Sequence, residues 1–158
     1  MKKDFFIRDA SNLDVQQITD IIYGILNEYG LQPDPEGKDK DLEDIEENYF
    51  NHKGFFGVMV KGEENRIIGT FGLAYKNQWT CELRKMYLAK TERGKGLGKK
   101  MLSAAIDQAA QMKYKNIFLE TVSPLKEAIA LYKKYGFKEV VPSEVNKRCN
   151  MAFELTIS

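Results

Sequence analysis

Hydrophobic positions that recur three and four residues apart predict four helices. The first covers residues 13–29, and a short second helix covers 41–50 after a loop rich in proline and glycine. A long helix follows Gly98 and extends to Met112, and the last one ends at Gly136, where a glycine typically closes a helix. Each helix has an apolar stripe, so each is expected to pack one face on the core.

Runs of β-branched and aromatic residues between turn residues predict seven strands. They cover residues 5–10, 55–60, 66–75, 80–88, 116–122, 137–141 and 149–157. The order of elements is β-α-α-β-β-β-α-β-α-β-β, and its strand–helix–strand unit implies two neighbouring parallel strands. We expect a single α/β domain over residues 1–158, with a mixed twisted sheet of about seven strands flanked by four helices.

Two short signals mark predicted helix starts. Ser11, followed by Asp14, is a capping-box variant that opens the first helix. Ser123, followed by Pro124, is predicted to be the N-cap and first position of the last helix.

The strand over residues 80–88 does not keep one hydrophobic parity. By counting, Leu83 and Tyr87 fall on one face, whereas Met86 and Leu88 fall on the other. A β-bulge near residues 84–85 would produce this slip. The alternative is a strand that is buried on both faces.

Charge and composition exclude several classes of protein. Lys and Arg number 24 against 23 Asp and Glu, so the formal net charge of +1 disfavours a dedicated nucleic-acid binder. No apolar run approaches the roughly 20 residues that span a bilayer, and the charged start of the chain predicts no secretory signal. We therefore expect a cytoplasmic protein that binds neither nucleic acid nor membrane.

Cysteine and histidine are too scarce for several common sites. The chain has Cys81, Cys149 and a single histidine, His52, which rules out a disulfide scaffold and most zinc sites. No metal is expected. His52 lies in a predicted surface turn, so it is expected to be exposed and without a catalytic role.

The segment 34–47 is strongly acidic. It contains eight acids against Lys38 and Lys40. It could attract a cationic substrate, although a solvated helix face is the favoured interpretation.

The strongest local feature is a glycine loop, residues 93–99, with the sequence RGKGLGK, between a strand and a long helix. Its spacing is neither that of a Walker A loop nor that of a dinucleotide fingerprint. Glycines at a helix start still allow phosphate oxygens to approach backbone N–H groups, and Lys95 and Lys99 add positive charge. The loop therefore predicts an anion site, with a glycine-rich turn as the simpler interpretation.

Two motifs in register resemble the acetyl-CoA-binding half of the GNAT N-acetyltransferase superfamily. The first is the Arg-x-x-Gly-x-Gly loop after a strand, and the second is an Ala-x-x-Leu-Tyr-x-x-x-Gly-Phe helix end after the next strand. They are carried by Arg93, Gly96 and Gly98, and by Ala128, Leu131, Tyr132, Gly136 and Phe137. The resemblance covers residues 82–140 and implies a GNAT-like sheet in which two parallel strands splay apart.

The resemblance also implies acetyl-CoA as cosubstrate and gives its binding residues. Backbone groups of one splayed strand would hold the pantetheine arm, and the glycine loop would hold the pyrophosphate. The implied residues are Met86, Tyr87, Leu88, Arg93, Gly94, Lys95, Gly96, Leu97, Gly98 and Lys99. Leu125 stands where many relatives have Asn, so no side-chain contact to coenzyme A is expected from it.

Two catalytic residues follow from the same resemblance. Glu82 is the expected general base, acting directly or through water, with Glu120 in reserve, and Tyr132 is the expected proton donor to the departing thiolate. The alternatives are a surface glutamate and a packing tyrosine. The expected acceptor is a primary amine of a small molecule or peptide that attacks the thioester directly, and the chain is a possible homodimer. The competing function is a non-catalytic acyl-CoA-binding or sensory module.

Overall fold

The structure is a computed structural model that describes residues 5–157. Seven strands form one sheet in the order β1-β2-β3-β4-β5-β7-β6. The strands are β1 (Phe5–Asp9), β2 (Phe55–Lys61), β3 (Arg66–Asn77), β4 (Thr80–Leu88), β5 (Asn116–Thr121), β6 (Lys138–Val140) and β7 (Met151–Thr156). The helices are α1 (Val15–Glu28), α2 (Ile45–Asn48), α3 (Leu97–Gln111) and α4 (Lys126–Lys134).

The predicted fold class is confirmed. Every neighbouring pair of strands is antiparallel except β4 and β5, which are parallel and joined through α3. The sheet is therefore mixed, with seven strands and four α-helices in the predicted order. Of the predicted range 1–158, residues 1–4 and 158 lie outside the described residues.

The core has two clusters. In one cluster, Leu97 and Met101 of α3 and Ile129 of α4 pack against the central strands. In the other cluster, Ile22 of α1 and Ile45 of α2 pack against β2 and β3. Both clusters are made by the apolar helix stripes that the periodicity indicates, because only those stripes face the sheet.

The predicted β-bulge lies at Lys85. In the ladder between β3 and β4, Gly72 faces Arg84 and Thr70 faces Tyr87, so β4 contains one extra residue. Lys85 has a φ of 56°, and its carbonyl oxygen accepts a 2.6 Å hydrogen bond from Thr70 Oγ1. This bulge explains why the apolar residues of β4 change from one face of the strand to the other in the sequence.

Beyond the bulge β4 leaves its parallel neighbour. The β4–β5 ladder consists of Thr80 with Asn116, Cys81 with Ile117, and Glu82 with Phe118. The rest of β5 stays paired with β7, whereas residues 83–88 have no partner on the β5 side within the described chain. The two strands therefore splay apart and open a cleft.

The segment predicted as one short helix over 41–50 is broken. It forms a 3₁₀ turn over Lys40–Glu43, then α2, then another 3₁₀ turn from Phe50. The break is at Asp44, whose backbone is not helical and whose side chain accepts a hydrogen bond from the N–H of Glu47. An Asp side chain that competes for backbone donors starts a new helix rather than continuing an old one.

Most predicted element ends are shifted by one or two residues. The capping box of Ser11 is present, but it starts a 3₁₀ turn over Asn12–Asp14 that leads into α1, and Gly136 ends α4 with a φ of 95°. Ser123 does not cap α4, which begins at Lys126, and its hydroxyl instead accepts a hydrogen bond from Asn150 Nδ2. Strand β7 starts at Met151 rather than at residue 149.

Candidate active site

Two cavities open along β4 where it leaves β5. The first, which we call the loop cavity, has a volume of about 320 Å³ and lies between the end of β4, the glycine loop and α4. The second, the charged cavity, has a volume of about 450 Å³ and lies between the sheet, residues 31–41 and the loop before β7. Tyr87 and Leu125 line both cavities. The two spaces therefore meet at these side chains.

The glycine loop presents unpaired backbone donors to the loop cavity. Gly94 and Gly96 both have a φ of 80°, and a Cβ on either would meet no atom within 4 Å. These glycines are needed for backbone conformation rather than for close packing. Within the described chain, the N–H groups of residues 94–99 donate to no protein acceptor, and α3 begins among them. Such a run at a helix N-terminus is an anion site.

Nine of the ten predicted coenzyme-binding residues line the loop cavity, and the exception is Lys95. The ammonium group of Lys95 lies 2.8 Å from a carboxylate oxygen of Glu92, which is buried and also binds Lys61. Glu92 therefore draws Lys95 away from the cavity. Leu125, from which no contact was expected, lies in the lining.

Arg93 closes one end of the loop cavity through its side chain. Its guanidinium donates to both carboxylate oxygens of Glu28 at 2.6 and 3.1 Å and to the carbonyl oxygen of Leu88 at 3.0 Å. It also donates to the hydroxyl of Tyr29 at 3.2 Å. Arg93 thus joins the end of α1 to the end of β4, a clamp that sequence reasoning missed because Glu28 is distant in the chain.

A second basic feature lies near the glycine loop. The pKa of Lys134 on α4 is lowered by the neighbouring side chain of Lys99 on α3. Two ammonium groups that repel each other favour an anion between them.

Tyr132 is buried in the core cluster that α3 and α4 form with the central strands. Its ring centroid lies 5.7 Å from that of Phe137 and 6.3 Å from that of Phe153. Burial raises the pKa of Tyr132 above its ordinary value, and nearby Tyr87 raises it further. The phenol is therefore protonated at neutral pH. Among the residues described, Tyr132 is not in the lining of either cavity, and its ring packs against core aromatic residues.

Both candidate bases line the charged cavity. Oε1 of Glu82 accepts two hydrogen bonds from Arg84, at 3.0 and 2.9 Å. Oε2 of Glu120 accepts from the backbone and the hydroxyl of Ser143, at 2.8 and 2.6 Å. Burial of Glu120 opposes its ionisation, but these bonds outweigh that effect and its pKa is lowered. Glu82 keeps Oε2 without a bond inside residues 5–157.

A buried ion cluster forms the wall of the charged cavity. Asp39, which is 2% exposed, accepts two hydrogen bonds from Arg148 at 2.9 Å each and lies 3.1 Å from the ammonium group of Lys85. Lys85 also lies 3.3 Å from Asp41. Asp39 is therefore a buried ion partner and Asp41 a half-buried one, and the interpretation of that segment as a solvated helix face was wrong for these two residues.

The cysteines and the histidine are placed as non-catalytic residues would be. Burial raises the pKa of Cys81 to about 12 and that of Cys149 to about 11, so both stay as thiols at neutral pH. His52 is exposed as predicted, with its Nδ1 2.7 Å from the carbonyl oxygen of Glu47.

No three His, Cys, Asp or Glu side chains among residues 5–157 are grouped as metal ligands would be. None of the described helices combines the length and the apolar character that crossing a membrane requires.

The family of this chain follows from a comparison with known proteins. A family model described as the acetyltransferase (GNAT) family matches residues 20–137, which include the glycine loop, both splayed strands and Tyr132. The chain belongs to the GNAT acetyltransferase family. The predicted resemblance is thereby confirmed.

Curated relatives of this GNAT chain are named as N-acetyltransferases. It is 36% identical over 132 residues to the uncharacterized N-acetyltransferase YjgM of Escherichia coli (strain K12), covering 80% of this chain and 78% of that protein. It is 40% identical over 57 residues to the spermine/spermidine N(1)-acetyltransferase of Bacillus subtilis (strain 168), covering 35% of this chain and 38% of that protein.

Solved structures have the same GNAT fold. A GNAT-family acetyltransferase from Staphylococcus aureus Mu50 matches with a TM-score of 0.89 and 26% identity, covering 98% of this chain and 99% of that one. The protein yncA of Salmonella typhimurium, solved with acetyl-CoA, matches with a TM-score of 0.76 and 20% identity, covering 99% of this chain and 95% of that one.

The conformation of the glycine loop predicts opposite effects for two Gly→Ala substitutions. Gly96→Ala is expected to lower the free energy of unfolding by about 1 kcal/mol, because alanine is strained at positive φ. Gly98→Ala is the matched control, since Gly98 lies inside α3 and its Cβ would meet Leu131 at an ordinary 3.6 Å. It is expected to be neutral or stabilising by up to about 1 kcal/mol. Urea unfolding of the ligand-free proteins tests this, and equal losses would contradict the loop conformation.

The ion cluster predicts a defined dependence of stability on pH. Burial of Asp39 opposes its ionisation, but Arg148, the Asp34 N–H and Lys85 outweigh that effect and lower the pKa of Asp39 from 3.8 to about 2. Asp39 therefore stabilises the fold fully above about pH 5, by roughly 2 kcal/mol, and this contribution is lost as the pH falls through 2.

Asp39→Asn is expected to be less stable at pH 7 by about 3 kcal/mol, because Arg148 loses its buried partner. It is also expected to lose less stability than the wild type between pH 5 and pH 2. Urea unfolding across this pH range measures both slopes. Parallel slopes would show that Asp39 is not held ionised by the cluster.

Proposed function

We propose that this GNAT chain transfers the acetyl group of acetyl-CoA to a primary amine by direct attack of the amine on the thioester. The observation that carries the proposal is the run of unpaired N–H groups at residues 94–99, next to a cavity that shares Tyr87 and Leu125 with an adjacent, charged cavity. The loop cavity suits the diphosphate and the pantetheine arm of the coenzyme, and the charged cavity suits a polar acceptor.

The loop cavity has the chemistry that acetyl-CoA requires. The free amides of residues 94–99 would bind the pyrophosphate, and Lys99 would add charge. The pantetheine arm would lie along Met86, Tyr87 and Leu88, whose backbone faces the cleft instead of β5. This assignment leaves the thioester at the junction of the cavities.

The acceptor amine must lose a proton before or during attack. A lysine-like amine with a pKa of about 10.4 is neutral in only about one molecule in a few thousand at pH 7. Glu82 is the proposed base, directly or through water, because it lines the charged cavity and its Oε2 is free of bonds from the described residues. Glu120 is the weaker candidate, since its lowered pKa makes it less basic.

Every bond and proton in the proposed transfer can be accounted for without a covalent enzyme intermediate. The nitrogen lone pair forms the N–C bond to the acetyl carbonyl carbon, and the C–S bond breaks with its electron pair on sulfur. The amine proton passes to Glu82, and Tyr132 gives its proton to the thiolate before regaining one from solvent. Burial keeps the phenol protonated, so a proton is present to donate, and Tyr132 is close to Tyr87, which lines both cavities. The raised pKa values of Cys81 and Cys149 argue against an acyl-cysteine intermediate.

Acetyl-CoA at about 100 times its Kd is expected to stabilise the protein by about 2.7 kcal/mol, which raises the Tm by roughly 5–10 °C. Free thiol is expected to appear only when a primary amine is added. A Tm increase without amine-dependent thiol release from any acceptor would favour the non-catalytic acyl-CoA-binding module. An unchanged Tm at millimolar acetyl-CoA would contradict the proposal altogether.

Tyr132→Phe is expected to lower kcat by about 10²- to 10⁴-fold and leave the Kd for acetyl-CoA nearly unchanged, because it removes only the proton donor. Tyr114→Phe is the matched control. Tyr114 is also buried, but its hydroxyl donates to the backbone of Lys53, away from both cavities. Single-turnover kinetics separate chemistry from product release. Wild-type kcat in the Tyr132 variant would remove the phenol from the mechanism.

A further inference from the structure

The charged cavity carries both signs of charge in nearly equal number. Asp39, buried behind the lining, brings the balance to five cationic and five acidic side chains. A polyamine would be expected to bind where acids are in excess, because each of its ammonium groups needs a counter-charge. The cations in the lining are Lys38, Lys76, Arg84, Lys85 and Arg148, and the acids are Asp41, Glu82, Glu120 and Glu144.

Two of these cations already form ion pairs within the protein. The side chains of Lys85 and Arg148 are 7% and 12% exposed and are paired with Asp39. Lys85 also donates to the carbonyl oxygen of Lys38 at 2.8 Å. A buried pair of this kind shapes the wall and is costly to break, so it is not the group that receives a ligand.

Arg84 has more N–H donors than its two hydrogen bonds to Glu82 use. Its Nε and Nη2 both donate to a single oxygen, Oε1 of Glu82, and its other polar neighbours in the described chain are Tyr49 and Asp41. The side chain is 42% exposed and lines the cavity. A planar guanidinium with free donors binds a carboxylate in two-point geometry.

Two further lysines in the cavity form no salt bridge within the described residues, although Lys38 is near enough to Glu120 to help lower its pKa. Neither Lys38 nor Lys76 has a carboxylate oxygen within 4.0 Å among residues 5–157, and Lys76 instead lies 4.5 Å above the ring of Phe118. The register places Glu82 beside Phe118 on β5, and Lys76 lies over the ring of Phe118, so Lys76 and Glu82 both adjoin this residue. Positive charge thus surrounds the proposed base.

We propose that the acceptor is a small zwitterion, an amine with a carboxylate close to it as in a free amino acid, and that Arg84 binds its carboxylate. The inference rests on the proposed function. Arg84 and Glu82 are two residues apart on the same face of β4, before the bulge, so the carboxylate group and the amine of one small molecule are received by adjacent side chains. Arg84 is then a specificity-determining residue, and the cavity selects against a polycation.

The experiment uses matched acceptors with and without the carboxylate. Initial rates of thiol release from acetyl-CoA are measured for standard amino acids and for their carboxamides, with putrescine and spermidine added as polycations. Amidation lowers the basicity of the amine and thereby raises its neutral fraction. A preference for the acid therefore cannot arise from amine pKa.

The best amino acid is expected to exceed its carboxamide at least tenfold in kcat/KM and to exceed both polyamines. In Arg84→Gln this ratio of acid to carboxamide is expected to fall to near 1, mainly through KM for the acid, whereas Arg84→Lys retains part of it. Taking the ratio cancels any loss caused by the changed environment of Glu82, because both acceptors suffer that loss. Lys147→Gln is the control, since Lys147 is exposed next to Arg148 but outside the lining, and its ratio is expected to be unchanged.

Three outcomes would overturn the inference. They are a polyamine or a carboxamide that equals or exceeds every amino acid, an unchanged ratio in Arg84→Gln, and the absence of both turnover and thermal stabilisation with every amino acid. The first two leave the proposed acetyl transfer intact. Failure of the proposed function is seen separately, as the lack of any stabilisation by acetyl-CoA or as the lack of thiol release with every acceptor, polyamines and carboxamides included.

Discussion

The separation of β4 from β5 after three residue pairs is the constraint on which the rest of the site depends. Two parallel strands normally satisfy each other's backbone groups, so a strand that leaves its partner exposes donors and acceptors. Here the exposed edge becomes the wall of a cleft. The glycine loop follows directly at the end of the same strand. One departure from regular pairing thereby places the two cavities in contact.

The bulge that directs this departure is held by contacts from both sides. A non-glycine residue at positive φ is unfavourable by roughly 1 to 3 kcal/mol, and Lys85 adopts this conformation at the bend. Thr70 binds its carbonyl oxygen, and Asp39 and Asp41 bind its ammonium group. Arg148 joins the same cluster from the loop before β7. The buried charges therefore couple the cleft to two loops of the charged cavity.

Sequence reasoning found those parts of the molecule that leave a local signal. Strand alternation and helix periodicity gave all seven strands and the four helices, and the slip in alternation located the bulge at Lys85. Spacing also indicated the glycine loop. The break at Asp44 was missed because a capping side chain outweighed the helical pattern around it. The direction of Lys95 was missed because Glu92, which attracts it, becomes buried only when the fold forms.

The features that could not be predicted from the sequence depend on contacts between residues far apart in the chain. Asp39 and Arg148 are 109 residues apart, and Arg93 and Glu28 are 65 apart, so neither pair has a pattern in the sequence. The same applies to the opposition of Lys99 and Lys134 across two helices. These contacts decide which charges remain available in the cleft. The resemblance to GNAT proteins could give the family and the cosubstrate, but not the charge balance of the second cavity.

The central claim is that the amides of the glycine loop and the free edge of β4 together bind the coenzyme. Backbone-amide NMR, with coenzyme A titrated into the protein, tests it at individual residues. The largest changes in chemical shift are expected at residues 94–99 and 86–88, with those of β1 and β2 unaffected. Changes confined to other parts of the chain, with these two segments unmoved, would contradict the account.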